Sequence, residues 1–211
     1  MTNKGKYYES QFEEATIKLL REAHWQYAFG DDIHRKYTDP LIEEDLRNFL
    51  AVQYKDKNLT TSEMDSIVAN LRNTGGQNDY YALRNTFLLY RDGYDFAYSD
   101  GRSNPFRLEY IDFEYPDHNI FRCVNQFVME QGRENRRPDI LLFINGIPVC
   151  IIELKNPTKQ NATIRDAHTQ ICTRYMRDIP ALLKYCALAV ISDGAKNALG
   201  TTYTPFEFFY E

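Results

Sequence analysis

Apolar positions along the chain change period about halfway, dividing it into a helical first part and a strand-rich second part. Over residues 8–24, Phe12, Ala15, Leu19 and Ala23 recur at helical spacing and predict an amphipathic helix. Thr38-Asp39-Pro40 reads as the cap and first turn of a helix over 41–54. Thr61-Ser62-Glu63 opens another, to about Arg72, and Asn73-Thr74-Gly75-Gly76 breaks it. A further helix is predicted over 79–91, ending before Gly93. From 107 the period shortens to two. RLEYIDFEY (107–115) predicts a strand with Ile111, Phe113 and Tyr115 on one face, and NIFRCVNQFVME (119–130) predicts a second. DILLFINGIPVCIIEL (139–154) is two apolar runs joined by Asn145-Gly146, a hairpin signal. Runs this apolar imply strands covered on both faces. A helix over 162–177 and a buried strand over 187–192, closed by Asp193-Gly194, complete the series. Helices, three or four strands, a helix and a strand fit an α/β fold, a mixed central β-sheet flanked by helices with an N-terminal helical extension.

Composition adds limits. The chain has 211 residues, 43% of them hydrophobic, with 13 Phe and 16 Tyr. That supplies one packed core and does not resemble a disordered chain. The formal net charge of −5 gives no global basic excess, so any grip on nucleic acid must be local or shared with other subunits. Cys123, Cys150, Cys172 and Cys186 form no C-x-x-C pair, which argues against a zinc site and a disulfide framework. His24, His34, His118 and His168 show no ligand spacing. No stretch approaches the roughly 20 apolar residues of a membrane span, and the N-terminus lacks an apolar signal core, so a cytoplasmic location is expected.

One segment carries chemistry, RRPDILLFINGIPVCIIELKNP (136–157). Glu153 and Lys155 alternate with Leu154 at the end of a strand and so face the same way. Two charges closing so apolar a run need each other, solvent or a cation. Mg²⁺ takes carboxylate and carbonyl oxygens and keeps several waters, so Asp139, Glu153 and the backbone carbonyl of Leu154 are candidate ligands. Lys155 would orient an attacking water or stabilise charge on a phosphate. The register contains a test. With a plain two-residue turn at Asn145-Gly146, residue 139 pairs with 152, and Asp139 points away from Glu153. A shared metal therefore requires a longer loop, a one-residue bulge, or Asp139 off the ladder, and Pro138 and Pro148 favour such an irregularity. As a bland alternative, Asp139 caps a strand and Glu153 with Lys155 is a surface pair.

The wording around these residues closely resembles the nuclease core of type I restriction enzyme R (restriction) subunits, members of the PD-(D/E)xK superfamily. Pro138-Asp139 and Glu153-Leu154-Lys155 match the two halves of that motif, and NGIP, the trailing Lys155-Asn156-Pro157, VNQF (124–127) and RYMRDIPALLKYCALAVISDG (174–194) match as well. ESQFEEATIKLL (9–20) looks like the family's first helix, while 30–105 carries little of the likeness. The resemblance implies a type I site-specific deoxyribonuclease with a restriction-endonuclease-like core, Mg²⁺ on Asp139 and Glu153, and a catalytic Lys155. It implies an acidic residue of the first helix at the site, for which Glu14, or else Glu9, is expected. It also implies a Gln-x-x-x-Tyr motif on the following helix, tied to nuclease function and DNA contact. Here Gln170 and Tyr175 are five residues apart instead of four, a change of about 100° in relative direction on a regular helix, so Gln170 is the catalytic candidate of the pair and Tyr175 the candidate for DNA contact, against the alternative of a polar residue and a packing aromatic on an amphipathic helix.

On this reading the partners are duplex DNA and the modification and specificity subunits, with no membrane. The expected organisation is a mainly helical portion over 1–105, a nuclease core over 106–194, and over 195–211 the start of a linker to a motor. No G-x-x-x-x-G-K-[ST] occurs, so ATP would matter only to a motor domain absent from this chain. Arg133, Arg136 and Arg137 before Asp139, and Lys159 and Arg165 after it, could hold phosphates. Asp112 and Glu114, on one strand face, are expected to face solvent. The alternative is a docking module, with 30–105 attaching the subunit to the methyltransferase core and little cleavage in isolation. A free-standing repair or recombination nuclease of the same superfamily fits less well, because it would lack RYMRDIP…ISDG.

Overall fold

The computed structural model describes residues 4–155 and 163–211, with side chains from Ser10 onward. Its centre is a six-stranded mixed sheet in the order β1 (Gln26–Phe29), β4 (Phe121–Asn125), β7 (Ile140–Ile144), β8 (Ile147–Leu154), β9 (Leu188–Ser192) and β10 (Asn197–Gly200). β1–β4 and β8–β9 are parallel, and the other neighbours are antiparallel. Parallel strands need a long crossover. For β8 to β9 the helical stretch 164–183 supplies it.

Alternation along the strands separates two layers. Leu141, Phe143 and Ile151 pack with Ile171, Tyr175 and Leu182 of the crossover. Ile140, Cys150 and Ile152 pack with Ile17 of α1 (Lys4–Glu22). α1 therefore does not bury the stripe Phe12, Ala15, Leu19 and Ala23. Leu19 is 65% exposed, and the inward face is Phe12, Ile17 and Leu20.

α2 (Glu43–Gln53), α3 (Thr61–Asn73) and α4 (Asp79–Asp92) match the predicted helices closely and build a separate lobe. Its core joins Leu46, Leu50, Ile67 and Leu71 to Tyr110, Ile147 and Tyr185. The small antiparallel pair β2 (Tyr94–Phe96) and β3 (Phe106–Leu108) closes it.

Several expectations need correction. The predicted strand over 107–115 stops at Leu108. Asp112 does not face solvent on a strand. It is buried in a loop, accepting from the backbone N–H groups of Glu114 and Tyr115, from Gln53 and from His118. The segment 119–130 splits into β4 and β5 (Met129–Gln131), and β5 forms a hairpin with β6 (Glu134–Arg136). Within the mainly helical portion β1 also joins the central sheet, and within 195–211 β10 is an edge strand of that sheet, with Leu199 bridging to Tyr210. β1 was missed because QYAF is short and its neighbours carry no alternation.

Candidate metal-dependent hydrolase site

The hairpin of β7 and β8 sets the site. Asn145 (φ 51°) and Gly146 (φ 74°) form the two-residue turn, with Ile144 opposite Ile147. A Cβ on Gly146 would lie 2.1 Å from the carbonyl oxygen of Ile42, so only glycine fits. The buried Asn145 side chain donates to the carbonyl of Tyr110 and to Asn119 and accepts from the N–H of Ile120. The turn is thereby tied to both the sheet and the helical lobe.

The expected irregularity is present. Phe143 pairs with Pro148 but Leu142 pairs with Cys150, which leaves Val149 as an extra residue. Pro148 has no N–H to give the ladder, so a break there costs little. Ile140 now faces Ile152, and one step further Asp139 falls opposite Glu153 on the crossover side of the sheet. The half-buried Asp139 accepts from the N–H of Leu154 at 2.7 Å.

Glu153 is 1% exposed. Lys155 Nζ donates to it at 2.8 Å and to Gln170 Oε1 at 2.8 Å. Gln170 Nε2 donates to the Tyr175 hydroxyl at 2.7 Å, and that hydroxyl reaches Glu153 at 3.3 Å. The four side chains close a ring of contacts. Burial, reinforced by the charge of Asp139, pushes the Glu153 carboxyl up to about 8 against the opposing pull of Lys155. Burial likewise holds the Tyr175 hydroxyl protonated, so it can donate.

The five-residue spacing does not remove Tyr175 from the site, contrary to the expectation from a regular helix. α5 (Ile164–Thr169) runs into a π-helical turn over Gln170–Tyr175 before α6 (Met176–Asp178). The wider turn takes up one residue and returns Gln170 and Tyr175 to the same side. A DNA-contacting role for Tyr175 does not fit, because the side chain is 3% exposed and its hydroxyl is turned to Glu153 and Gln170.

Other expected residues fare differently. Glu14 is exposed, and Glu13 takes the inward direction. Glu13 accepts from Asn125 at 2.6 Å and from Gln126 at 3.2 Å, at the end of β4. Glu13 lies one helical turn from Ile17 and two from Leu20, and it is the packing of that face on Cys123 and Ile152 that turns it inward. Arg136 is not free for a ligand, because it pairs with Glu134 and Asp178. Arg137 is exposed beside Asp139. Lys159 lies outside the described residues, as does the side chain of Glu9.

Among the described residues no three acidic, His or Cys side chains converge, so Glu13 stays outside the pair. Two carboxylates brought together with a neighbouring backbone carbonyl still form an all-oxygen donor set of the kind Mg²⁺ accepts. A carboxyl whose proton is held up to about 8 by burial and a neighbouring carboxylate is a group that a divalent cation would relieve.

A mixed sheet with a bulged hairpin carrying Asp139 and Glu153-x-Lys155 defines an α/β protein of the restriction-endonuclease type. Residues 6–208 match the family described as type I restriction enzyme R protein N terminus, and the chain belongs to that family. It is 31% identical over 95% of its length to the type I restriction enzyme HindI endonuclease subunit of Haemophilus influenzae. It is 30% identical over 94% of its length to the putative type I restriction enzyme MjaIXP endonuclease subunit of Methanocaldococcus jannaschii. The chain spans about 20% of the length of each of these relatives. No helix among the described residues is long and apolar enough to cross a membrane.

Proposed function

We propose that this chain is the Mg²⁺-dependent endonuclease region of a type I restriction R subunit, hydrolysing phosphodiester bonds of duplex DNA. The observation that carries the reading is the bulge at Val149, which sets Asp139 opposite Glu153 and leaves Lys155 on the same face. When bound between Asp139 and Glu153, the cation would activate water and offset charge on the phosphate. Lys155, held by Glu153 and Gln170, keeps its ammonium where negative charge develops. Gln170 and Tyr175 hold that lysine and Glu153 in place. Glu13 fixes the end of β4 beside the N–H of Gln126, which donates to the backbone carbonyl of Asp139 at 3.4 Å. Sequence choice would come from a specificity subunit and complex formation from a modification subunit, since the chain has no base-reading motif. The test is calorimetric titration of Mg²⁺ or Mn²⁺ into the wild type and Asp139→Ala, followed by plasmid nicking. Binding by the wild type that vanishes with Asp139→Ala is expected. Equal binding by both proteins, or no binding by either, sinks the proposal.

A further inference from the structure

With a net charge of −5, a duplex must be held by the few cations that the fold leaves uncommitted. Most arginines around the site are spent on carboxylates. Arg136 pairs with Glu134 and Asp178, Arg177 with Asp178, and Arg72 with Asp39 and Glu43. Four cations on adjoining elements are not spent this way. Arg133 is exposed at the tip of the β5–β6 hairpin, beside Gly132 (φ 63°), and Arg137 is exposed where that hairpin enters Asp139. Lys36 is exposed on the segment leading into α2, and Lys184 is half-buried after α7 (Pro180–Leu183). Among the described residues Lys184 Nζ donates to the backbone carbonyls of Arg72 and Thr74 and lies 4.9 Å from the centre of the Tyr185 ring, neither of which cancels its charge. Asp39, Glu43, Glu134 and Asp178, carboxylates along these elements, give ion pairs to Arg72, Arg136 and Arg177 instead.

These elements are physically continuous. The N–H of Glu130 donates to the carbonyl of Tyr37 at 2.9 Å, and Gln131 Oε1 accepts from the N–H of Ala181 at 3.0 Å. The hairpin is thus clamped on one flank to the Lys36 segment and on the other to α7, with Met129 in the core at its root. Between Lys36 and Lys184 lies an open cleft of about 360 Å³, lined also by Asp39, Ala181 and Tyr185. The hairpin leaves the sheet after β4 and returns to β7, at the end of the sheet where Glu153 lies.

We propose that Arg137, Arg133, Lys36 and Lys184 form a phosphate track that leads a DNA duplex away from the Asp139–Glu153 pair, over the β5–β6 hairpin and along the cleft beside α7. The track rests on the nuclease reading above and adds a direction to it. Its contacts are to backbone phosphates, so affinity is independent of base sequence. Arg136 is excluded from it, because its charge is consumed within the hairpin root.

The salt dependence of duplex binding tests this. A fluorescein-labelled duplex of about 30 base pairs is titrated with the 211-residue chain, without divalent metal, and log K is plotted against log salt. Arg133→Ala and Arg137→Ala should each reduce the slope by about 0.9. Adding Lys36→Ala and Lys184→Gln should bring the total reduction to about 3–4, the glutamine retaining donors for the two carbonyls. Lys55→Ala, after α2 and beyond the Asn145 turn, should leave the slope unchanged. A quadruple variant with the wild-type slope, an equal effect from Lys55→Ala, or a wild type that binds no duplex at low salt overturns the track. Mg²⁺ calorimetry on the quadruple variant separates the two claims. Intact metal binding with an unchanged slope removes the track and leaves the nuclease site standing.

Discussion

Glu153 and Glu63 are almost equally shielded from solvent contact, at 1% and 3% exposure, and each meets a basic side chain, but Glu153 lies deep under the crossover and Glu63 near the surface, and their proton affinities move in opposite directions. Glu63 belongs to the helical lobe. Both terminal nitrogens of Arg102 reach it at 2.7 Å, and the N–H and hydroxyl of Thr60 donate to it in the capping box of α3. The Arg102 bonds drive its carboxyl down to about 2. Glu153 has one ammonium and one phenol, lies under the apolar crossover and adjoins Asp139, and it is pushed up to about 8. A carboxylate that serves only the fold is met by as many donors as its oxygens accept. One set against a second carboxylate, with a single lysine between burial and charge, is the arrangement expected where a cation is the missing partner.

The largest expected effects come from exchanging each glutamate for its amide. On the nuclease reading, Glu153→Gln should lower metal-dependent nicking on the order of 10²–10³-fold. The same change should raise stability by about 1 kcal/mol, because it removes a buried like-charge conflict. Glu63→Gln should do the reverse, lowering the thermal midpoint while leaving nicking within about twofold. Plasmid nicking and thermal unfolding of the metal-free proteins read both quantities. Two amides that destabilise alike would erase the contrast.

The next effect concerns how the strained partner is held. Gln170→Ala should cost about 10- to 100-fold in nicking, since it frees both Lys155 and Tyr175. Deleting Thr173 should cost far less, about threefold or under, because the π-turn becomes an ordinary helical turn with Gln170 and the tyrosine again one turn apart. Thr173 is exposed, so its side chain contributes little packing. A deletion as damaging as Gln170→Ala would show that the wide turn itself, and not merely the pairing it permits, is required.

Much of the fold and of the site is legible in the sequence. For Asp139 and Glu153 to share a cation, their spacing across Asn145-Gly146 requires a longer loop, a bulge or Asp139 off the ladder, and of the two prolines that favour an irregularity Pro148 is the one beside the observed bulge. The helices 61–73 and 79–92 are legible from period and breakers, with Thr60 and Asn78 as the observed caps, whereas 43–53 begins after Ile42 without a side-chain cap and not at the expected Thr38-Asp39-Pro40. What stayed hidden depends on tertiary context. Glu13 was passed over because the small residues Ala15 and Ala23 suggested the wrong stripe, and only packing on Cys123 and Ile152 selects the Ile17 face. Asp112 looked solvent-facing because alternation over 107–115 mimics a strand. The loop instead forms around that carboxylate, whose four donors include two backbone N–H groups that a strand would use in its ladder. The π-turn leaves no mark in composition, and the five-residue spacing read by helical geometry pointed the wrong way.

The smallest effect is in the pH dependence, and it tests the cause of the contrast. The carboxyl of Glu63 binds its proton less tightly folded than unfolded, with about 2 set against an ordinary 4.5. Its stabilisation is therefore complete above pH 4.5 and fades as pH falls toward 2. Glu153 has the opposite sign. Its proton is held more tightly in the fold, so the metal-free protein loses stability as pH climbs from 4.5 to about 8. Arg102→Ala should move the onset of acid unfolding to higher pH and leave the alkaline side unchanged, whereas Glu153→Gln should flatten only the alkaline side. Arg102 is 31% exposed, so salt screens part of its contribution and the shift will be modest. Thermal midpoints collected across pH in a chelating buffer would read both arms. An acid arm unmoved by Arg102→Ala would mean that Thr60 alone keeps Glu63 ionised, and the contrast with Glu153 would then rest on the helix cap and not on the ion pair.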